Sequence, residues 1–299
     1  MGKIKLLLIY FFIILTLASC RKIAEEDLAP AIPPQATGLA ELLDTRATYC
    51  SPPRLSNGHV NFNKLITDLI AERANMYSFC IHPAITDLDD LKDFLPLARE
   101  NGIRVWASIL PPKETTVSVY SSPYRTDYEM WATEFAQLSL TETNLIAWSI
   151  DDFTHNLNTF TPEYLKKMID IAHDINPKLV FVPCSYFSEI NSNFVKNVLP
   201  YIGGILFPYR AESSPQGANL KDTSLVKTEI DSIRQLVGSK MPIIVDVYAS
   251  SHSTLGATTT EYVGQVLEAA KKSAVGIMIY RHQDPVYSSE KFNIIKNTW

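Results

Sequence analysis

Two adjacent aspartates, Asp151 and Asp152, close the apolar run "LIAWSID" (145–151). A carboxylate in such a setting is costly to desolvate unless it is paired or has chemistry to perform. Side chains alternate across a strand, so Ala147, Ser149 and Asp151 share one face, and Trp148, Ile150 and Asp152 the other. The bulky apolar pair suits packing against helices. That aims Asp151 the opposite way and leaves the direction of Asp152 to the loop that follows. A third acid, Asp246, interrupts the run "PIIVDVY" (242–248) on the face of Ile244 and Tyr248. Two carboxyl groups on opposite sides of a glycosidic bond can cleave it. One protonates the leaving oxygen, and the other attacks the anomeric carbon or activates water.

Structural roles compete with that chemistry. An aspartate pair after a strand also caps helices and binds turns. Asp246 could be half of an ion pair, with Arg210, Arg281 and Lys113 as candidate partners. His155 lies close enough in sequence to join Asp151 and Asp152 around a metal, but three ligands within five positions on an irregular loop make a poor template. The chain has no CxxC, no HExxH and no Cys/His cluster at metal spacing. It also has no GxGxxG or GxxxxGK[ST] phosphate loop. Neither a metal nor a cofactor is expected.

The elements that must position these acids are legible as alternating patterns. Near-continuous apolar runs, as in strands covered on both faces, occur at 45–51, 75–81, 104–110, 145–151, 179–185, 204–210, 242–248 and 275–281, the first being the weakest. Between them lie helical faces: Leu65, Ile66, Leu69 and Ile70; Leu88, Leu91, Phe94 and Leu95, with Pro96 expected to kink or split the helix; and Met130, Trp131, Phe135 and Leu138. Thr161 and Pro162 form a cap and first-turn proline ahead of Leu165, Met168, Ile169 and Ala172. A short helix is expected around Phe194–Val198. Two more use Ile230, Ile233, Leu236 and Val237, then Val263, Val266, Leu267 and Ala270. Strict alternation means parallel strands with helices outside. Eight units fit an α/β (β/α)8 TIM barrel as a single domain over residues 39–299. An open doubly wound sheet would advertise a glycine-rich first turn, which is missing among the 11 glycines.

In such a barrel the strand C-termini form the functional face. There the sequence places His82 and Pro83, then Lys113 and Glu114, Asp151 and Asp152, Ser185 and Tyr186. Tyr209, Arg210 and Glu212 follow, then Asp246, Tyr248, Ser250 and Ser251, and finally Tyr280, Arg281, His282 and Asp284. Tyrosines that stack on sugar rings, beside carboxylates and Arg or His that bind hydroxyls, suit an oligosaccharide or polysaccharide. Asp151, Asp152 and Asp246 are the expected catalytic acids, with Glu212 and Asp284 behind them. His82, Tyr186, Tyr209, Arg210, Tyr248, Tyr280, Arg281 and His282 are the expected substrate contacts. Trp106, Trp131 and Trp148 are expected in the core.

The chain has 299 residues, 46% hydrophobic and 20% charged, with a formal net charge of −5 and no basic block. That argues against nucleic acid as a partner. Residues 1–19 read as a secretion signal: Lys3 and Lys5 precede an apolar run from Leu6 to Leu17, too short for a comfortable membrane span. "LASC" (17–20) resembles the lipobox of bacterial lipoproteins, which implies lipid on Cys20, a tether over 20–38, and a membrane-anchored place in the cell envelope. Three further cysteines remain. Cys50 and Cys80 could bridge if they end neighbouring strands, but buried thiols are the expected state; Cys184 is left over.

With its strand ending "WSIDDF", the mature chain resembles the glycoside hydrolase-type (β/α)8 barrels of Bacteroidota lipoproteins, over residues 40–299 in architecture and at Asp151 and Asp152 in motif. The resemblance implies glycoside hydrolysis with an acid at the end of strand 4. Neither the DxxDxDxE of chitinase-like families nor the Asn-Glu of the largest retaining clan is present. The competing reading is a barrel that binds or scaffolds glycans without cleaving them.

Overall fold

The computed structural model describes residues 39–299, residue 83 aside. The secretion signal, Cys20 and the whole tether therefore lie outside the described residues, as does Pro83. The strands are β1 (Thr45–Tyr49), β2 (Met76–Ile81), β3 (Arg104–Ile109), β4 (Leu145–Ile150), β5 (Val180–Phe181), β6 (Ile205–Pro208), β7 (Ile243–Tyr248) and β8 (Gly276–Tyr280). The intervening helices are α1 (Phe62–Glu72), α2 (Asp87–Glu100), α3 (Tyr128–Thr141), α4 (Pro162–Ile175), α5 (Ser192–Asn197), α6 (Val226–Val237), α7 (Thr260–Ser273) and α8 (Ser289–Thr298).

All eight strands are parallel, in the order β5-β4-β3-β2-β1-β8-β7-β6. The ends of that order meet through a parallel bridge between Cys184 and Leu206 and a Ser185 N–H to Leu206 carbonyl bond of 2.8 Å. The fold is a TIM barrel. Each strand is covered outside by helices and inside by its neighbours, which explains why the runs read as continuous apolar sequence.

The alternation of the strands sorts the core into two clusters. Trp148, with Phe135, Phe181 and Trp131, packs between sheet and helices, whereas Ala147, Met76, Trp106, Val182, Ile244 and Met278 fill the interior. Interior residues become polar toward the C-terminal ends: Ser78, Ser108, Ser149 and Asp246 are all buried there. At the other end the short helical turn Leu39–Leu42 inserts Leu42 into the interior cluster. Thr45 donates to the Leu42 carbonyl at 2.7 Å and fixes that plug. Gly276 allows β8 to approach β1 at this closed end, because a Cβ there would meet the Thr45 Cβ at 2.5 Å.

Several local expectations change. Pro96 does not split α2, which is continuous through it. Pro96 and Lys92, whose carbonyl loses its i+4 donor, are both half-exposed, so water can satisfy that carbonyl. Thr161 caps α4 as expected, accepting the Tyr164 N–H at 3.3 Å. Ile70, Met130 and Leu236 face solvent rather than the core. Helix α8 has no sequence counterpart above; Phe292 and Ile295 anchor it. Cys50 and Cys80, at the ends of paired strands, form a disulfide instead of remaining buried thiols, while Cys184 is free and buried. No described helix is long and apolar enough to cross a membrane.

Candidate active site

A cleft of about 490 Å³ opens at the C-terminal ends of the strands. Four carboxyl groups line it, Glu114, Asp151, Asp152 and Asp246, together with Tyr49, Tyr186, Tyr248 and Tyr280. His82, His252, Arg281 and the free thiol of Cys184 complete its ionisable lining.

The β4 acids are aimed by backbone geometry. Asp151 continues the ladder, its N–H bonded to the Ile109 carbonyl at 3.0 Å. Its carboxylate accepts the Asp152 N–H at 3.0 Å, and Tyr49, whose hydroxyl lies 3.5 Å from Ser108 Oγ, favours its charged form. Asp152 then takes a left-handed conformation, φ 42°, at the start of a helical turn over Phe153–Asn156. Its side chain caps nothing. The reversal turns the carboxylate into the cleft, where it accepts a hydrogen bond from the Tyr186 hydroxyl. His155 lies 3.7 Å away on its other side. The Tyr186 ring is held between His155, stacked at 4.2 Å, and the Arg210 guanidinium, 3.9 Å from the ring centre.

Glu114 is the acid that sequence reasoning passed over. The loop after β3 is tied to the β4 loop: the Lys113 N–H donates to Asn156 Oδ1 at 3.1 Å, and Lys113 Nζ donates to the His155 carbonyl. Asn156 in turn donates to the Asp152 carbonyl at 2.9 Å. These bonds set Glu114 at the mouth of the cleft, hydrogen-bonded to Asp152. Only its place after a strand marked it, and a long irregular loop gives no periodicity from which to read direction.

The acids divide by protonation. Partial burial, then the charges of Asp151 and Asp152, push Glu114 up to about 8. Solvent at the mouth works against that shift. Asp152 is desolvated too, but His155, Tyr186 and Glu114 outweigh burial and hold its carboxyl below the ordinary value. Burial and the Asp152 charge raise Asp151 to about 6. Burial, then the Asp151 charge, raises Asp246 well above its usual range. In the rim pair, then, Glu114 is favoured to hold a proton and Asp152 to be charged, while both floor acids, Asp151 and Asp246, are held above the ordinary carboxylate range. Burial keeps His82 neutral by lowering it to about 4 and also lowers His252. Burial and the neighbouring acids raise the Cys184 thiol, which stays protonated.

Other expected site residues lie elsewhere. His282 turns away from the cleft, with Nδ1 3.4 Å from Thr48 Oγ1 and Nε2 3.5 Å from Asp68. Tyr209 is fully buried and donates to the Asp222 carbonyl at 2.7 Å. Arg210 supports Tyr186 from behind and pairs with Glu212 at 2.5 Å, which removes Glu212 as a reacting acid. Asp284 is held at about 2 by two backbone N–H groups and Lys64, 2.9 Å away. Asp246 has no ion-pair partner among the described residues, so none of its candidate cations neutralises it. Tyr186 and Tyr248 are buried rather than wet, and Tyr280 is half-buried. His252 was not anticipated; it belongs to a two-stranded ribbon, Ser251–His252 with Gly256–Ala257.

One oxygen of Asp151, one of Asp152 and the Cys184 sulfur lie within 4.8 Å of one another, a spacing that could admit a cation. The protonated thiol and the existing bonds of Asp152 to Tyr186 and His155 make this a poor resident metal site.

No family model matches the chain, and no curated protein matches it in sequence. Solved structures do resemble it in fold. A GH2 β-galacturonidase from Eisenbergiella tayi, bound to galacturonate, superposes with a TM-score of 0.55 at 13% identity, covering 86% of this chain and 50% of that one. A β-glucuronidase from Bacteroides uniformis gives 0.60 at 10% identity, covering 86% and 35%. A β-glucanase from Saccharophagus degradans gives 0.58 at 13% identity, covering 85% and 86%. The chain thus spans half or less of the two larger enzymes and most of the third. The shared feature is the barrel.

Proposed function

We propose that the protein hydrolyses glycosidic bonds in this cleft. The observation that carries the reading is the convergence of four carboxyls, Glu114, Asp151, Asp152 and Asp246, on one tyrosine-lined cleft at the C-terminal ends of the strands. Glu114 is the general acid and protonates the leaving oxygen, becoming a carboxylate as it does so; the Asp152 charge beside it keeps the proton on Glu114 until then. Asp151, ionised at neutral pH and oriented by Tyr49 and the Asp152 N–H, attacks the anomeric carbon or deprotonates water. Asp246, neutral beside it, keeps the floor from carrying two adjacent charges. Tyr248, Tyr280 and Tyr49 offer ring faces, and Arg281 and His82 offer polar contacts to hydroxyls. The β-glucanase above has also been solved with cellotetraose, and fold neighbours that act on glycans support the reading.

The test is turnover of a broad oligosaccharide panel by the mature protein beside Glu114→Gln, Asp151→Asn and Asp152→Asn. Product release lost in the first two variants, with folding intact, is the expected result. Saturable binding without any turnover in the wild type would instead make the barrel a glycan-binding module.

We also infer that the chain is a lipoprotein of the cell envelope, anchored to a membrane through Cys20. The "LASC" sequence supports it. Cys20→Ser should move the protein from the membrane fraction to the soluble one; an unchanged distribution would rule the anchor out.

A further inference from the structure

We infer that Asp246 is the specificity residue of the cleft and seats the ammonium group of an amino sugar. This rests on the glycosidase reading above and names its substrate class. Asp246 is 4% exposed, yet it lines the cleft and one carboxylate oxygen has no hydrogen-bond partner. A buried, unpartnered acceptor on a residue that lines a cavity is expensive unless something arrives to satisfy it. The surroundings favour a cation. Of the groups lining the cleft, four are acids. Its two histidines are neutral, and its one permanent cation, Arg281, is exposed at the mouth over the Tyr280 ring. An anionic sugar would bring its charge beside Asp151 and Asp152 with little to neutralise it. A neutral sugar would leave the floor's charge uncompensated. An ammonium beside Asp246 allows that carboxyl to lose its proton, so the floor pair becomes two carboxylates around one cation. One proton leaves to solvent for each charged amine bound, and the rim pair keeps the proton that catalysis needs.

Calorimetric titration of the mature wild-type protein with glucosamine, cellulose and glucuronate oligosaccharides of equal length tests this. Run at about pH 6, where sugar amines are charged, in buffers of different ionisation enthalpy, it counts protons as well as affinity. The expected result is a preference for the glucosamine oligomer of about tenfold or more, with release of about one proton or more that the cellulose oligomer does not cause. Asp246→Asn should collapse the preference to about twofold or less. Equal affinity for the neutral oligomer, tighter binding of the glucuronate oligomer, or amino-sugar binding without proton release would each overturn the inference. Asp151 alone can release at most about half a proton at this pH, so release of about one proton or more in the wild type decides the matter even if the Asn variant does not fold. Hydrolysis of neutral glycans without amino-sugar preference would remove this inference and leave the glycosidase standing. Tight amino-sugar binding without turnover would do the reverse.

Discussion

The protein treats its buried acids in two ways, a few residues apart around the same barrel end. In the loop after β1, Arg54 reaches Asp87 at 2.6 Å and Asp90 at 3.8 Å, and His59 reaches Asp90 at 2.6 Å. The backbone N–H groups of His82 and Ala84 bond to Asp87, and that of Val60 to Asp90. Asp87 and Asp90 are 0% and 2% exposed, as buried as Asp246. Around Glu114, Asp151, Asp152 and Asp246 the neighbours are instead other acids and tyrosines. The first group spends its acids on pinning a loop to α2. The second leaves protons and charge available. Asp246 matches Asp87 and Asp90 in burial but has no cation beside it, and this difference in pairing separates structure from chemistry where burial alone would not.

The largest expected effect lies on the unpaired side. Asp151→Asn should lower kcat by about 10³-fold or more, and Glu114→Gln by about 10²–10⁴-fold, measured by product release on the best glycan of the panel with the fold checked by circular dichroism. On the paired side, Arg54→Ala should cost about 2–3 kcal/mol in denaturant unfolding, because it removes the cation from the fully buried Asp87; burial already raises Asp87 in spite of Arg54. A loss of that size in the cleft variants, with none in Arg54→Ala, would dissolve the comparison.

A third region sharpens it. Glu72 on α1 is fully buried, with both oxygens unpartnered, and burial first, then Asp68, raises its carboxyl well above the ordinary value. Its neutral form is favoured in the fold, so its contribution is fully present below the unfolded value and is lost as pH rises toward the folded one. Glu72→Gln should therefore stabilise by something on the order of 1 kcal/mol at neutral pH and by nothing near pH 4, read as Tm against pH. The smallest shift is kinetic. Plotted against pH, kcat/KM should rise through about 6 as Asp151 ionises, and fall no later than about 8 as Glu114 loses its proton. Glu114→Gln should abolish the falling limb, and Arg54→Ala should leave both limbs in place.

The barrel was readable because its strands are buried on both faces, so each advertises itself as an unbroken apolar run. The face of Asp151 was readable from period-two alternation with Trp148 and Ile150. What escaped depends on loops and on strand ends one residue beyond a pattern. Glu114 is placed by Lys113 bonding across to Asn156 and His155, 43 and 42 residues further along the chain. Tyr209 and His282 sit at strand ends as the cleft residues do, but local turns send them to Asp222 and Asp68. The disulfide needed the β1–β2 register, which pairs Tyr49 with Ser78.

Leu42 stoppers the barrel at the end remote from the acids, and the described chain begins just before it. The interior between Leu42 and the acids is filled by Ala47, Met76, Trp106, Val182, Ile244 and Met278, so no passage runs through the described barrel. Whatever enters the cleft must leave by the same mouth. A product that lingers there therefore keeps the next substrate out.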